Sequence, residues 1–89
     1  MKPTLITGNV RDDADRPLAG ARVLLVSGPG PLPDIAALTD AAGAFALTAP
    51  AEGRYDLEIV ADGFASARVA AEANAGKSAR LEVTLRHAR

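Results

Sequence analysis

The sequence predicts an all-β protein, a seven-stranded antiparallel β-sandwich, and three observations predict it. Short stretches of alternating apolar and polar residues recur along the chain, which is the period of a strand with one buried face. Clusters of Gly, Pro, Asp and Asn separate these stretches at intervals of roughly 8 to 12 residues, the spacing of a sandwich. The chain has 89 residues, 48% of them hydrophobic and 24% charged. That is the balance of one globular domain, here residues 1–89, and not of a disordered or membrane-spanning chain.

Taken in order, the first strand runs from Thr4 to Val10, with Ile6, Gly8 and Val10 on one face and Thr7 and Asn9 on the other. It ends in Arg11-Asp12-Asp13-Ala14-Asp15-Arg16-Pro17, read as a hairpin turn because Asp side chains bond nearby backbone and proline fixes its own φ. Beyond Gly20, Ala21, Val23 and Leu25 alternate with Arg22, Leu24 and Val26, so both faces of the second strand are largely apolar. Pro29, Pro31 and Pro33 then remove ladder donors and make Ser27 to Asp34 an extended loop. A short strand from Ile35 to Thr39 leads into Asp40-Ala41-Ala42-Gly43, a second hairpin turn by composition.

Ala44 to Ala49 presents Phe45 and Leu47 together and is broken by Pro50-Ala51-Glu52-Gly53. Arg54 to Ala61 has the clearest alternation, with Tyr55, Leu57 and Ile59 against Asp56 and Glu58, and with Val60 apolar on the polar side. Tyr55, just after Gly53, reads as a core tyrosine whose hydroxyl reaches backbone. Phe64 to Ala75 is rich in Ala, Arg and Glu, so propensity alone reads it as helix. Its position between Asp62-Gly63 and the turn Asn74-Ala75-Gly76-Lys77 favours strand. Arg80 to Arg86 completes the set, with Leu81, Val83 and Leu85 opposing Glu82, Thr84 and Arg86.

Composition excludes most chemistry. Ten basic residues against eleven acidic ones give a net charge of −1, and three aromatic residues make up the whole set, so neither an electrostatic nor a stacking footprint for nucleic acid is present. With no cysteine and one histidine, thiol catalysis, disulfides and multi-histidine metal sites are absent from the repertoire. Asp12, Asp13 and Asp15 lack the spacing and terminal Glu of a calcium loop and read as a solvated turn. His87 reads as exposed tail, and Ser66 and Ser78 have no histidine base to form a triad. No catalytic, cofactor-binding or metal-ligating set is expected. The N-terminus, with Lys2 but no long apolar region, is not a signal peptide, so the chain is expected to be cytoplasmic, or else a domain excised from an exported protein.

Several of these turns and core positions together resemble the carboxypeptidase regulatory-like domain of the transthyretin-like sandwich family. The resemblance begins at Gly8-Asn9-Val10-Arg11-Asp12 and Arg16-Pro17-Leu18-Ala19-Gly20-Ala21-Arg22-Val23. It continues at Thr39-Asp40-Ala41-Ala42-Gly43-Ala44-Phe45-Ala46-Leu47, at Gly53-Arg54-Tyr55-Asp56-Leu57-Glu58-Ile59 and at Gly63-Phe64, and ends at Leu81-Glu82-Val83-Thr84-Leu85. It implies a transthyretin-like (prealbumin-like), immunoglobulin-like sandwich that serves as an accessory, docking or spacer module. Two related enzymes depart from this chain. Hydroxyisourate hydrolase carries a histidine pair and a C-terminal Tyr-Arg-Gly-Ser, where this chain has Gly8 and Arg86-His87-Ala88-Arg89. Intradiol dioxygenases hold iron with two tyrosines and two histidines, and this chain has one of each.

Binding surfaces are what remain. Leu24, Val26 and Val60 fall on positions that alternation assigns to an outer sheet face, where solvent prefers polar residues. The loop carrying Pro29, Pro31, Leu32, Pro33 and Ile35 is longer than a hairpin connection, and a proline-braced loop loses little entropy on docking. The expected function is a non-catalytic module that docks a protein partner, or its parent polypeptide, through Pro29, Pro31, Leu32, Pro33, Ile35, Leu24 and Val26. Leu32 and Ile35 folding back as a lid over the sandwich is the alternative for the loop. A structural spacer in an assembly such as a phage-tail-like injection system is the alternative for the whole module.

Overall fold

Alternation puts the large apolar side chains of each strand on one face, and two sheets bury those faces against each other. The computed structural model describes residues 4–28, 36–49, 51–74 and 77–88. Among these it forms seven strands: β1 (Thr4–Asp12), β2 (Arg22–Ser27), β3 (Ala36–Leu38), β4 (Ala44–Ala49), β5 (Gly53–Val60), β6 (Ala67–Ala73) and β7 (Ala79–Leu85). A three-stranded sheet has the order β4-β1-β7, and a four-stranded sheet has the order β3-β2-β5-β6. The segment with helical composition is strand β6, which pairs antiparallel with β5 from Gly53↔Ala73 to Ile59↔Ala67. Cross-strand packing thus overrides its propensity.

The antiparallel expectation holds for every pairing between strands except one. Strands β1 and β7 are parallel, in register from Ile6↔Ala79 to Asp12↔Leu85, while β1 and β4 are antiparallel from Thr4↔Ala49 to Asn9↔Ala44. β1 is therefore the central strand of its sheet, and β4 is an edge.

The two turns read as hairpins reverse the chain but do not join partners in one sheet. At the first, Asp12 N–H donates to Arg16 O and Leu18 N–H donates to Val10 O, so the chain doubles back briefly along β1. It then crosses to the four-stranded sheet as β2. At the second, Gly43 N–H donates to Asp40 O and Asp40 Oδ1 accepts from Ala42 and Ala44 N–H, yet β3 and β4 lie in different sheets. Gly43 has φ +77°, and a side chain there would strike the Val10 carbonyl, which accounts for the glycine. Turn chemistry sets a local reversal, whereas pairing is decided by long-range packing.

The core lies between the sheets. Ile6, Val10, Val23, Tyr55, Leu57, Ile59 and Leu85 are fully buried, with Phe45, Leu47 and Val83 beside them. Each such side chain contributes about 1.5–3 kcal/mol by leaving water. Ala21, Ala49, Ala61, Ala71 and Ala73 complete it with little area each, so stability rests on the larger residues. Gly8 sits where a Cβ would lie 2.8 Å from Phe45 Cε1 and Cζ and would also collide with the Leu81 carbonyl oxygen. The close approach to Gly8 is thus made by β7 and by the Phe45 ring. Buried polar groups are paired: Thr39 Oγ1 donates to Leu18 O at 2.6 Å and accepts from Ala21 N–H at 2.9 Å.

Candidate functional site

The outer face of the four-stranded sheet is built in rows by its register. Arg22 lies opposite Leu38 on one side and Val60 on the other, and Leu24 lies between Ala36 and Glu58. Opposite residues share a face. Toward β5 and β6 the face turns charged, with Arg68 opposite Glu58 and their side chains 4.0 Å apart. Toward β2 and β3 it carries Leu24, Val60 and Leu38, with exposed Arg22 set between the last two. Leu24 and Val60 are half-buried, Val26 is 38% exposed and Leu38 is 65% exposed.

Val26 does not occupy the row that alternation assigned to it. Register shifts between Leu25, opposite Leu57, and Ser27, opposite Asp56, so β2 carries a β-bulge at Val26. Ser27 takes the next outer position instead, and its hydroxyl donates to Asp56 Oδ2 at 2.7 Å. Sequence reasoning did not single out Leu38. Its signal was weak, because a three-residue strand shows almost no period. Pro29, Pro31, Leu32, Pro33 and Ile35 lie outside the described residues. The described residues that flank them, Gly28 just beyond β2 and Ala36 at the start of β3, are both exposed.

The acidic turn is organised by its own carboxylates and is not merely solvated. Asp12 is buried, and its Oδ1 accepts from Ala14 and Arg16 N–H at 2.9 Å each. Those hydrogen bonds, that of Arg16 foremost, hold its carboxyl below the usual carboxylate range. Asp13 accepts from His87 N–H at 3.2 Å and lies 2.6 Å from His87 Nδ1, and this pairing lowers its carboxyl too. His87 is exposed, as expected from the sequence, and is also tied to the acidic turn. Its ring also lies 4.4 Å from the Phe64 ring, and Phe64 and His87 form a β-bridge.

Asp15, at φ 64°, pairs with Arg11 at 3.1 Å, and Arg11 also reaches Glu82 at 2.9 Å. Both hydrogen bonds, Asp15's the larger, raise the Arg11 guanidinium further. A shallow depression of about 250 Å³ is lined by Asn9, Arg11, Asp15, Pro17 and Ala42, but its cation is already matched by two carboxylates. Among the described residues, no group of three or more His, Cys, Asp or Glu converges to hold a metal ion. Tyr55 is fully buried, and its hydroxyl donates to Ala51 O at 2.7 Å and accepts from Ala51 N–H at 3.0 Å, as the sequence led us to expect.

Two sheets packed through alternating faces, with an apolar patch beside a short edge strand, define a β-sandwich module. The chain belongs to the carboxypeptidase regulatory-like domain family, whose profile matches residues 5–86. No curated protein matches it. Among solved structures it is similar to the minor pilin of Streptococcus agalactiae, with TM-score 0.74, 19% identity, and coverage of 99% of this chain and 46% of that one. It is also similar to a chain of a type II cohesin–X-dockerin complex from Acetivibrio cellulolyticus, with TM-score 0.69, 19% identity, and coverage of 92% and 56%. A third likeness is hydroxyquinol 1,2-dioxygenase from Pseudomonas putida, with TM-score 0.73, 13% identity, and coverage of 98% and 57%. The chain spans about half the length of these solved chains. At such identities the likeness shows the sandwich fold alone.

Proposed function

We propose that this domain is a non-catalytic interaction module that docks a protein partner through the outer face at β2 and β3, together with the proline loop that joins those strands. The observation that carries this reading is Leu38, 65% exposed opposite Arg22 and sharing its face with half-buried Leu24 and Val60, where solvent favours polar residues. Family membership over residues 5–86 supports an accessory role, and a pilin and a cohesin–dockerin complex use the same fold as parts of protein assemblies. Likeness to a dioxygenase does not extend to its chemistry, since one tyrosine and one histidine cannot supply two of each, and here Tyr55 is bonded to Ala51 and His87 to Asp13.

The test compares wild type, Leu38→Asp and Asp15→Asn in cross-linking pull-downs from the source lysate, after circular dichroism shows that each variant folds. A protein captured by wild type and Asp15→Asn but not by Leu38→Asp is the expected result. Capture that survives Leu38→Asp and fails with Asp15→Asn overturns the assignment of the face.

A further inference from the structure

The parallel pairing of the first and last strands determines how the domain carries load. The chain enters β1 at Thr4 and leaves β7 at Leu85, and Leu85 lies beside Asp12 at the far end of β1. Entry and exit are therefore at opposite ends of the sheet, roughly 26 Å apart at the rise of an extended strand. Tension along the chain pulls β1 and β7 lengthwise past each other. All seven register pairs from Ile6↔Ala79 to Asp12↔Leu85 then resist together, along with the six pairs that hold β1 to β4. Peeling the same strands apart from one end would break those bonds one after another.

Three further observations favour this path. Neither ladder of β1 has a register shift, whereas the ladder between β2 and β5 has one. The seam is also crossed by side chains, with Thr7 Oγ1 donating to Ala79 O at 3.4 Å near its start and Arg11 reaching Glu82 at 2.9 Å toward its end. At its middle, Gly8 lets the Leu81 carbonyl and the Phe45 ring close on β1, so sliding has to drag packed atoms past each other.

We propose that the domain is a force-bearing link, built to transmit tension from the start of β1 to the end of β7 through shear of the central strand. Single-molecule force spectroscopy tests this, because the chain has no cysteine and handles can be placed at will. One pair of handles goes on residue 1 and Ala88→Cys, which loads the seam in shear. The second goes on residue 1 and Ser78→Cys, beside the start of β7, which peels it; Lys77→Cys gives the same loading if the first variant folds poorly. These three cysteine positions are exposed, and urea unfolding checks that stability is unchanged. The expected result is an unfolding force at least about twofold higher for the first geometry at equal pulling speed, since forced unfolding reports the barrier and not the equilibrium. Equal forces, or a higher force on peeling, would overturn the proposal.

Discussion

Replacing Gly8 with Ala puts a methyl group where β1, β4 and β7 meet. Two effects of opposite sign compete. Loss of glycine's freedom in the unfolded chain stabilises by about 0.5–1 kcal/mol. Against this, the new Cβ would lie 2.8 Å from two carbons of the Phe45 ring and would overlap the Leu81 carbonyl oxygen. A ring can tilt, but a backbone carbonyl in a ladder moves only with its strand, so overpacking falls toward the upper part of its usual cost of about 1–3 kcal/mol. The net expectation is destabilisation by about 1–2 kcal/mol. With a urea dependence of about 1 kcal/mol per molar for so small a domain, the midpoint falls by about 1–2 M. Tyr55 fluorescence and circular dichroism report the transition in a chain without tryptophan. Adding Phe45→Leu to Gly8→Ala should relieve less than half of any strain, because the ring is the lesser obstacle. An unchanged or raised midpoint for Gly8→Ala alone would refute the close approach, since the entropic effect would then stand unopposed.

Tyr55→Phe removes a hydroxyl that makes two hydrogen bonds to exposed Ala51, and is expected to cost about 1–2 kcal/mol by urea unfolding, against about 3–5 for Tyr55→Ala. Leu57→Ala is expected to cost about 2–5 kcal/mol, whereas Leu38→Ala on the outer face stays within about 0.5; similar losses at both would mean the faces are reversed. The lowered carboxyls of Asp12 and Asp13 mean that the folded state binds protons more weakly than the unfolded chain. Their contribution is therefore complete above about pH 4 and lost as pH falls through the depressed folded values. Thermal midpoints followed into acid should fall less steeply for Asp12→Asn than for wild type, and a parallel pH profile would contradict this.

Strand positions and their buried faces were legible because most strands alternate cleanly, as at Tyr55, Leu57 and Ile59 or at Leu81, Val83 and Leu85. Tyr55's backbone anchor was legible too, from its place after a strand-breaking turn. What alternation cannot carry is partnership. Asp12–Arg16 and Asp40–Gly43 have hairpin chemistry, yet both lead across to the other sheet, and the parallel seam of β1 and β7 joins residues more than seventy positions apart. The bulge at Val26 was hidden because one extra residue shifts parity without changing composition. His87 reads as tail when isolated in sequence, and only the fold brings Asp13 and Phe64 to it. The proposed docking face was half legible: Leu24 and Val60 broke the expected polarity, while Leu38 sat in a strand too short to show a period.

Strand β4 bounds the smaller sheet, and its outward backbone edge is claimed by no strand among the described residues. Its six residues, Ala44 to Ala49, include neither a charge nor a proline, the devices that commonly keep such edges from pairing with another molecule. A net charge of −1 adds little repulsion between copies. Solubility in this domain is consequently decoupled from fold stability: a variant that melts higher gains no protection from edge-to-edge association, because the edge is fully formed in the native state. Lysine at Ala46, whose side chain is exposed, addresses that hazard without entering the core.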